Sequence, residues 1–233
     1  MTNQTAAVSE IFSSLQGEGT HLGERHLFLR FEACNIHCEY CDELGKVGYD
    51  FDLDSVVESL LWLEREEGPH AYVSLTGGEP LLYVSFLKPL LPRLKELAFR
   101  IYLETSGILW KQLEEVISWT DVIAMDVKPA SVTKERSFIR EHESFLRLAL
   151  QKETFIKMVC SKDLDLNEFG ELCEMISRVD VRVPLILQPI SGELEGHEDP
   201  ELMRLLGELQ NVALGRLKDV RIVPRLHKIL KIR

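Results

Sequence analysis

Cys34, Cys38 and Cys41 share one short loop in the pattern C-x3-C-x2-C, directly after the apolar run His26-Leu27-Phe28-Leu29-Arg30-Phe31. Three thiolates at this spacing can ligate three irons of a [4Fe–4S] cluster, which normally takes four protein thiolates. No fourth cysteine lies nearby, so one iron is left open to a small molecule. By analogy with zinc, an open position marks a working rather than a structural metal site. The spacing also admits zinc, with His37 or another histidine as fourth ligand, or three cysteines packed as small hydrophobes. Cys160, behind an apolar stretch, and Cys173, amid Leu172, Met175 and Ile176, read as packing residues.

Other groups able to do chemistry recur just behind apolar runs. Thr76-Gly77-Gly78-Glu79-Pro80 puts two residues without side chains where backbone can meet a polar ligand, beside an acceptor for an ammonium and a stiffening proline. A tight turn with a helix-starting proline would read the same way. Glu104, before Thr105-Ser106-Gly107, can accept from ribose hydroxyls. Lys128, in Asp126-Val127-Lys128-Pro129, can hold a carboxylate or phosphate, and Asp126 can serve a ligand or pair with Lys128. Gln188 precedes Pro189, and His227 follows a last apolar run. Near the start, Gly17 and Gly19 flank Glu18, a further candidate acceptor.

The intervening segments supply the frame. Short apolar runs at 71–75, 99–103, 122–125, 154–159, 184–187 and 220–223 read as strands. Helical periodicity covers about 52–66, 81–97, 109–118, 138–150, 166–179 and 202–214, with Asp52 or Asp54 near the first helix start. Strands alternating with helices predict a parallel sheet covered by helices. Six or so units are too few for a complete eight-stranded barrel, so an open, incomplete α/β barrel is expected. Each polar cluster then falls on one rim, where such folds build their sites. The charged stretches Lys128 to His142 and Ser191 to Pro200 read as solvated crossing loops.

With 233 residues, 45% hydrophobic and 28% charged, the chain suits a single globular domain over residues 1–233. A formal charge of −11 disfavours a nucleic-acid footprint. No apolar run approaches a membrane span, the start lacks a signal-sequence pattern, and the five cysteines fit a reducing cytoplasm.

The cysteine motif with Tyr40 before its last cysteine, followed by Gly77-Gly78-Glu79-Pro80, resembles the radical S-adenosylmethionine (SAM) enzymes. Leu15-Gln16-Gly17-Glu18-Gly19, Glu104-Thr105-Ser106-Gly107, Gln188-Pro189 and Pro224-Arg225-Leu226-His227-Lys228 narrow the resemblance to the 7-carboxy-7-deazaguanine synthases of queuosine and deazapurine biosynthesis. It covers nearly the whole chain. It implies a usually dimeric incomplete barrel that converts 6-carboxy-5,6,7,8-tetrahydropterin to 7-carboxy-7-deazaguanine with loss of ammonia. Reductive cleavage of SAM would supply a radical that abstracts hydrogen from the pterin, with an electron donor such as a flavodoxin or ferredoxin.

The resemblance also implies site roles. Cys34, Cys38 and Cys41 would hold the cluster; Gly77, Gly78 and Glu79 would grip the methionyl part of SAM. Tyr40, Asp42, Glu104, Asp126, Lys128 and Gln188 match its remaining cofactor positions. Leu15, Gln16, Gly17, Glu18, Thr76, His227 and the α-carboxylate of Arg233 match substrate positions, with Arg30 pairing the pterin carboxylate. One departure stands out: the family usually carries threonine, near a substrate-binding magnesium, where this chain has Glu43. A carboxylate can ligate Mg2+ directly or replace it. The rival readings are a radical SAM activase that installs a glycyl radical on a partner protein, and a non-enzymatic zinc module.

Overall fold

The structure, a computed structural model, describes residues 4–41, 45–190 and 199–232. Asp42, Glu43, Arg233 and most of the stretch Ser191 to Pro200 lie outside the described residues.

The strands are β1 (Thr5–Leu15), β2 (Arg25–Phe31), β3 (Tyr49–Asp52), β4 (Tyr72–Gly77), β5 (Ile101–Thr105), β6 (Val122–Val127), β7 (Glu153–Cys160), β8 (Leu185–Pro189) and β9 (Val220–Ile222). The helices are α1 (Leu53–Glu67), α2 (Val84–Glu96), α3 (Trp110–Val116), α4 (Ala130–Thr133), α5 (Ile139–Ala149), α6 (Leu166–Val179), α7 (Pro200–Leu214) and α8 (Leu226–Leu230). They form one sheet in the order β3-β1-β2-β4-β5-β6-β7-β8-β9. From β2 through β9 every neighbouring pair is parallel, whereas β1 runs antiparallel to both β2 and β3. The sheet is the incomplete α/β barrel expected from the repeating strand–helix pattern.

Burial on two faces explains the apolar strand sequences. On the outer face, Leu29, Val73, Leu75, Leu103, Ile123, Met125, Ile156 and Leu187 form the main core with the inward faces of α1, α2, α3, α5, α6 and α7. On the inner face, Tyr72, Tyr102, Val122, Ala124, Phe155 and Ile186 form a second cluster that floors the barrel. His26 and His21 pack edge-on against Tyr102, and His26 meets Ser74 Oγ at 2.7 Å, so the floor includes buried polar groups with partners.

One sequence expectation needs correction, that of a solvated loop at 128–142, and two elements, β3 and α8, carry no sequence expectation. Tyr49–Asp52 is an edge strand paired to β1, although its four residues are too few to register a period. The charged segment 128–142 is not simply a solvated loop: it contains α4, and Val132, Thr133 and His142 are buried. The stretch after β9 forms α8, whose Leu226 N–H donates to Gly17 O at 2.9 Å, so the end of the chain docks on the loop behind β1.

The predicted start of α1 holds. The Asp52 side chain accepts from Ser55 N–H at 2.8 Å, satisfying one of the orphan donors of the first turn. Asp52→Ala is therefore expected to destabilise the fold, read as a lowered midpoint in urea with an unchanged slope.

Candidate active site

Side chains alternate across a strand, so the inner face of each strand receives every second residue. Phe28 and Arg30 on β2, Tyr102 and Glu104 on β5, Ala124 and Asp126 on β6, and Phe155, Lys157 and Val159 on β7 all line one cavity. In each of the first three pairs the polar residue is nearer the C-terminal end of the strand. With Thr76 of β4, they make a polar layer above the aromatic floor. The cavity is closed by Leu15, Gln16, Gly17 and Glu18 on one side and by Cys34, Cys38, Tyr40 and Cys41 on another; Arg225 and His227 reach it from the end of the chain.

The layer is held by charge. Glu18 is paired with Lys157, and its Oε1 lies 3.1 Å from both Gln188 Nε2 and Arg225 Nε. Burial opposes its charge, but Lys157 and Arg225 outweigh that and hold the carboxyl at about 2. Asp126 Oδ2 accepts from Lys128 Nζ at 2.9 Å and lies 3.2 Å from Lys157 Nζ. Burial is again outweighed there by the two ammonium groups, so Asp126 stays ionised. Glu104 differs: burial, then the nearby Glu18 charge, push its carboxyl up. It accepts from Gln16 Nε2 at 2.8 Å and Thr76 Oγ1 at 2.7 Å, which joins the N-terminal loop to the rim.

The cysteine loop is seated by backbone. Gly77, at φ +112°, and Gly78 leave no room for a Cβ, which would stand 2.2 Å from Phe31 O and 2.1 Å from Ala33 O, respectively. Gly78 N–H donates to Phe31 O at 2.9 Å and Glu79 N–H to Ala33 O at 2.8 Å. The two glycines thus bring the chain that leads into the cysteines against the end of β4. Ile36, Cys38, Ile108 and Phe138 form an apolar cluster around the loop. Burial raises the thiols of Cys34 and Cys38.

His142 ties this region to the rim. Its Nε2 accepts from Lys128 N–H at 3.2 Å while Nδ1–H donates to Gly107 O at 2.9 Å, and its ring meets Phe138 edge-on. Accepting at one nitrogen and donating at the other requires the neutral imidazole. Burial holds it there, near pKa 4.

Most of the residues singled out in the sequence converge on the cavity, including Leu15, Gln16, Gly17, Glu18, Arg30, Thr76, Gly77, Gly78, Glu104, Asp126, Lys128, His227, Tyr40 and the three clustered cysteines. Arg30 reaches it already engaged, with Nη1 2.6 Å from Glu10 Oε2 and its guanidinium 4.9 Å above Phe12. His227 packs so closely on Gly17 that a Cβ there would lie 2.0 Å from Nδ1. Gln188 does not line the cavity but supports Glu18 from behind. Nor does Glu79: fully buried, its carboxylate accepts from Leu81 N–H, Thr105 Oγ–H, Ser106 N–H and Ser106 Oγ–H. Those bonds order the turn behind β5, so its side chain is committed inside the protein rather than presented to an ammonium. Cys160 and Cys173 are buried in the main core, as their apolar neighbours imply.

Lys157, Arg225 and His142 escaped sequence reasoning. Lys157 had one signal, a lone charge between apolar residues of a strand, and Arg225 lies within the Pro224-Arg225-Leu226-His227-Lys228 motif, two positions before His227. Nothing in the charged stretch around His142 marked it for burial.

The donor set fits a cluster and SAM. Three unpaired thiols face one cavity, and Asp126 Oδ1, Tyr40 OH and Gln188 Oε1 are buried there or just behind without a hydrogen-bond partner. Buried polar groups are rarely left unbonded, so the two that line the cavity, Asp126 Oδ1 and Tyr40 OH, are natural ligand contacts.

Comparison with known proteins agrees with this geometry. The profile of the Radical SAM superfamily matches residues 29–149. The chain is 34% identical to the 7-carboxy-7-deazaguanine synthase of Geobacter sulfurreducens, covering 99% of both chains. It is also 34% identical to that of Methanopyrus kandleri, covering 96% of this chain and 92% of the relative. In fold it is similar to the crystal structure of QueE from Escherichia coli, with TM-score 0.64 at 21% identity over 96% of this chain and 95% of that one.

The chain therefore belongs to the radical SAM superfamily, enzymes that work with a [4Fe–4S] cluster and SAM. Within it, the chain is a member of the 7-carboxy-7-deazaguanine synthase family. That membership disfavours both the zinc-module and the glycyl-radical activase readings.

Two outcomes test the site. Gly78→Ala is expected to displace the cysteine loop, with iron incorporation after anaerobic reconstitution falling by half or more; full loading would contradict this seating. His142 gives a pH signature. Between pH 6.5 and about 4 the unfolded chain binds a proton that buried His142 does not, so its contribution to stability is present above 6.5 and is lost as pH falls through that window. The loss is at most about 3 kcal/mol. Urea unfolding across this range should be flatter with pH in His142→Gln than in the wild type.

Proposed function

We propose that the enzyme converts 6-carboxy-5,6,7,8-tetrahydropterin to 7-carboxy-7-deazaguanine with release of ammonia, as a soluble homodimer served by a small flavin or iron–sulfur electron donor. Among the described residues no helix is long and apolar enough to cross a membrane. The observation that carries the reading is the meeting of two loops on one cavity, Leu15–Glu18 and the cysteine loop. The curated relatives named for this synthase align over nearly the full chain.

When bound, the cluster and SAM supply a one-electron cleavage that generates a hydrogen-abstracting carbon radical. The protein has to hold, orient and shield. Cys34, Cys38 and Cys41 would ligate three irons, leaving one for SAM. Ile36, Ile108 and Phe138 keep that corner apolar and exclude water. The Gly77–Gly78 turn offers backbone to the methionyl part, while Tyr40, Asp126 and Lys128 meet polar groups of SAM. Glu18, ionised throughout the physiological range, can accept from the N–H edge of a pterin, and Gln16 can donate or accept beside it. Arg30 and His227 flank the substrate carboxylate, and the aromatic floor of Phe28, Tyr102 and Phe155 packs under the bicyclic ring. Glu104, held between Gln16 and Thr76, keeps the substrate loop in register with the rim. Glu43 and Asp42 enter only by their chemistry: the Glu43 carboxylate would ligate a magnesium ion or stand in for it, and Asp42 would serve the cofactor.

The test is anaerobic reconstitution with iron and sulfide, followed by SAM, reductant and the carboxytetrahydropterin. Product of the mass of carboxydeazaguanine with equimolar ammonia is expected. Formation of 5′-deoxyadenosine without that product would assign a different substrate. Glu18→Gln should raise KM for the pterin about tenfold or more while leaving SAM affinity within a few-fold, since a hydrogen bond to a charged group is worth roughly 1.5–3 kcal/mol.

A further inference from the structure

Lys157 points inward and is the one charge in the interior of β7, whose other charged residue, Glu153, stands at its exposed first position. Its ammonium meets two carboxylates from distant parts of the chain: Glu18, on the loop behind β1, and Asp126, at the end of β6, 3.2 Å away. All three side chains are less than one-fifth exposed. Asp126 takes Lys128 on the same oxygen at 2.9 Å, and Glu18 takes Arg225 on its other oxygen at 3.1 Å. The result is a continuous run, Lys128–Asp126–Lys157–Glu18–Arg225, along the cavity wall.

Under the reading above, one end of this run faces SAM and the other faces the pterin. A single ammonium is shared between them. A ligand that engages Asp126 and Lys128 immobilises Lys157 on that side, and Lys157 in turn fixes Glu18. The second ligand then meets groups already ordered and oriented, and less freedom is lost when it binds. Removing the ammonium leaves two buried carboxylates with less neutralisation and no shared partner.

We propose that Lys157 is a positioning residue that couples SAM binding to substrate binding, so that each tightens the other. Coupling of this kind is reciprocal and typically amounts to about 5–150-fold. It would also favour assembly of the reactive complex over SAM bound alone.

The inference rests on the pterin being the substrate, and the experiment separates the two. Reconstituted holoenzyme without reductant, so that nothing turns over, is titrated with the carboxytetrahydropterin by calorimetry, with and without saturating SAM. The wild type should bind the pterin at least about fivefold tighter with SAM present. In Lys157→Met, which loses a buried ion-pair partner and should melt lower than the wild type, that factor should fall to about 1 at a temperature where the variant is folded and still binds SAM, and Lys157→Arg should recover part of it. Should the methionine variant not fold, Lys157→Gln is read in the same way. An unchanged factor in the Met or Gln variant overturns the proposal, as does a wild type in which the two ligands bind without mutual effect. A wild type that binds SAM but no pterin overturns instead the substrate assignment on which it stands.

Discussion

A charge taken out of water survives inside a protein only with a partner of opposite sign or a set of hydrogen bonds. In this enzyme that constraint organises the upper half of the barrel. Lys157 stands between Glu18 and Asp126, Lys128 and Arg225 complete the ends, and each member is buried because the next one is. The arrangement links four separate pieces of chain: the loop behind β1, the ends of β6 and β7, and the segment before α8. Backbone pairing already places β6 beside β7 and Leu226 on Gly17; the ion pairs join these two contacts into one wall above the aromatic floor.

The same region holds carboxyl groups in two electrostatic conditions. Glu18 and Asp126, next to cations, stay ionised, while Glu104 is pushed upward by burial and by its neighbour Glu18. Two carboxylates close together seldom share equal acidity, and separation of this kind is a common mark of functional sites. Here it leaves Glu18 as a pure acceptor and ties Glu104 into hydrogen bonds with Gln16 and Thr76.

The cysteine loop depends on a different kind of contact. Its entrance is fixed by backbone against Gly77 and Gly78, and its far side by Phe138, which directly precedes the helix that carries His142 to the rim. Glu79 belongs to this scaffolding: its carboxylate gathers the turn behind β5 through bonds to Thr105 and Ser106. A motif that looks like a ligand-binding sequence is therefore partly a structural joint, and the portion that lines the cavity is Gly77 and Gly78.

Much of this was legible in the chain itself. Apolar runs separated by helical periods establish the alternating architecture, because burial on both faces of a parallel strand demands continuous hydrophobicity. Polar residues immediately behind such runs announce a rim, and three cysteines on one loop announce a metal site with an open position. Those are local signals, carried by residue type and spacing. What only the tertiary structure decided is long-range: that β1 turns antiparallel with β3 beside it, that the charged stretch after Lys128 buries His142, that α8 returns to Gly17, and that Lys157, Glu18 and Asp126 share one ammonium. Spacing along the chain says nothing about which partner neutralises a buried charge. The partner is selected where strands and loops distant in sequence close on the same small volume, and only the folded chain specifies that meeting.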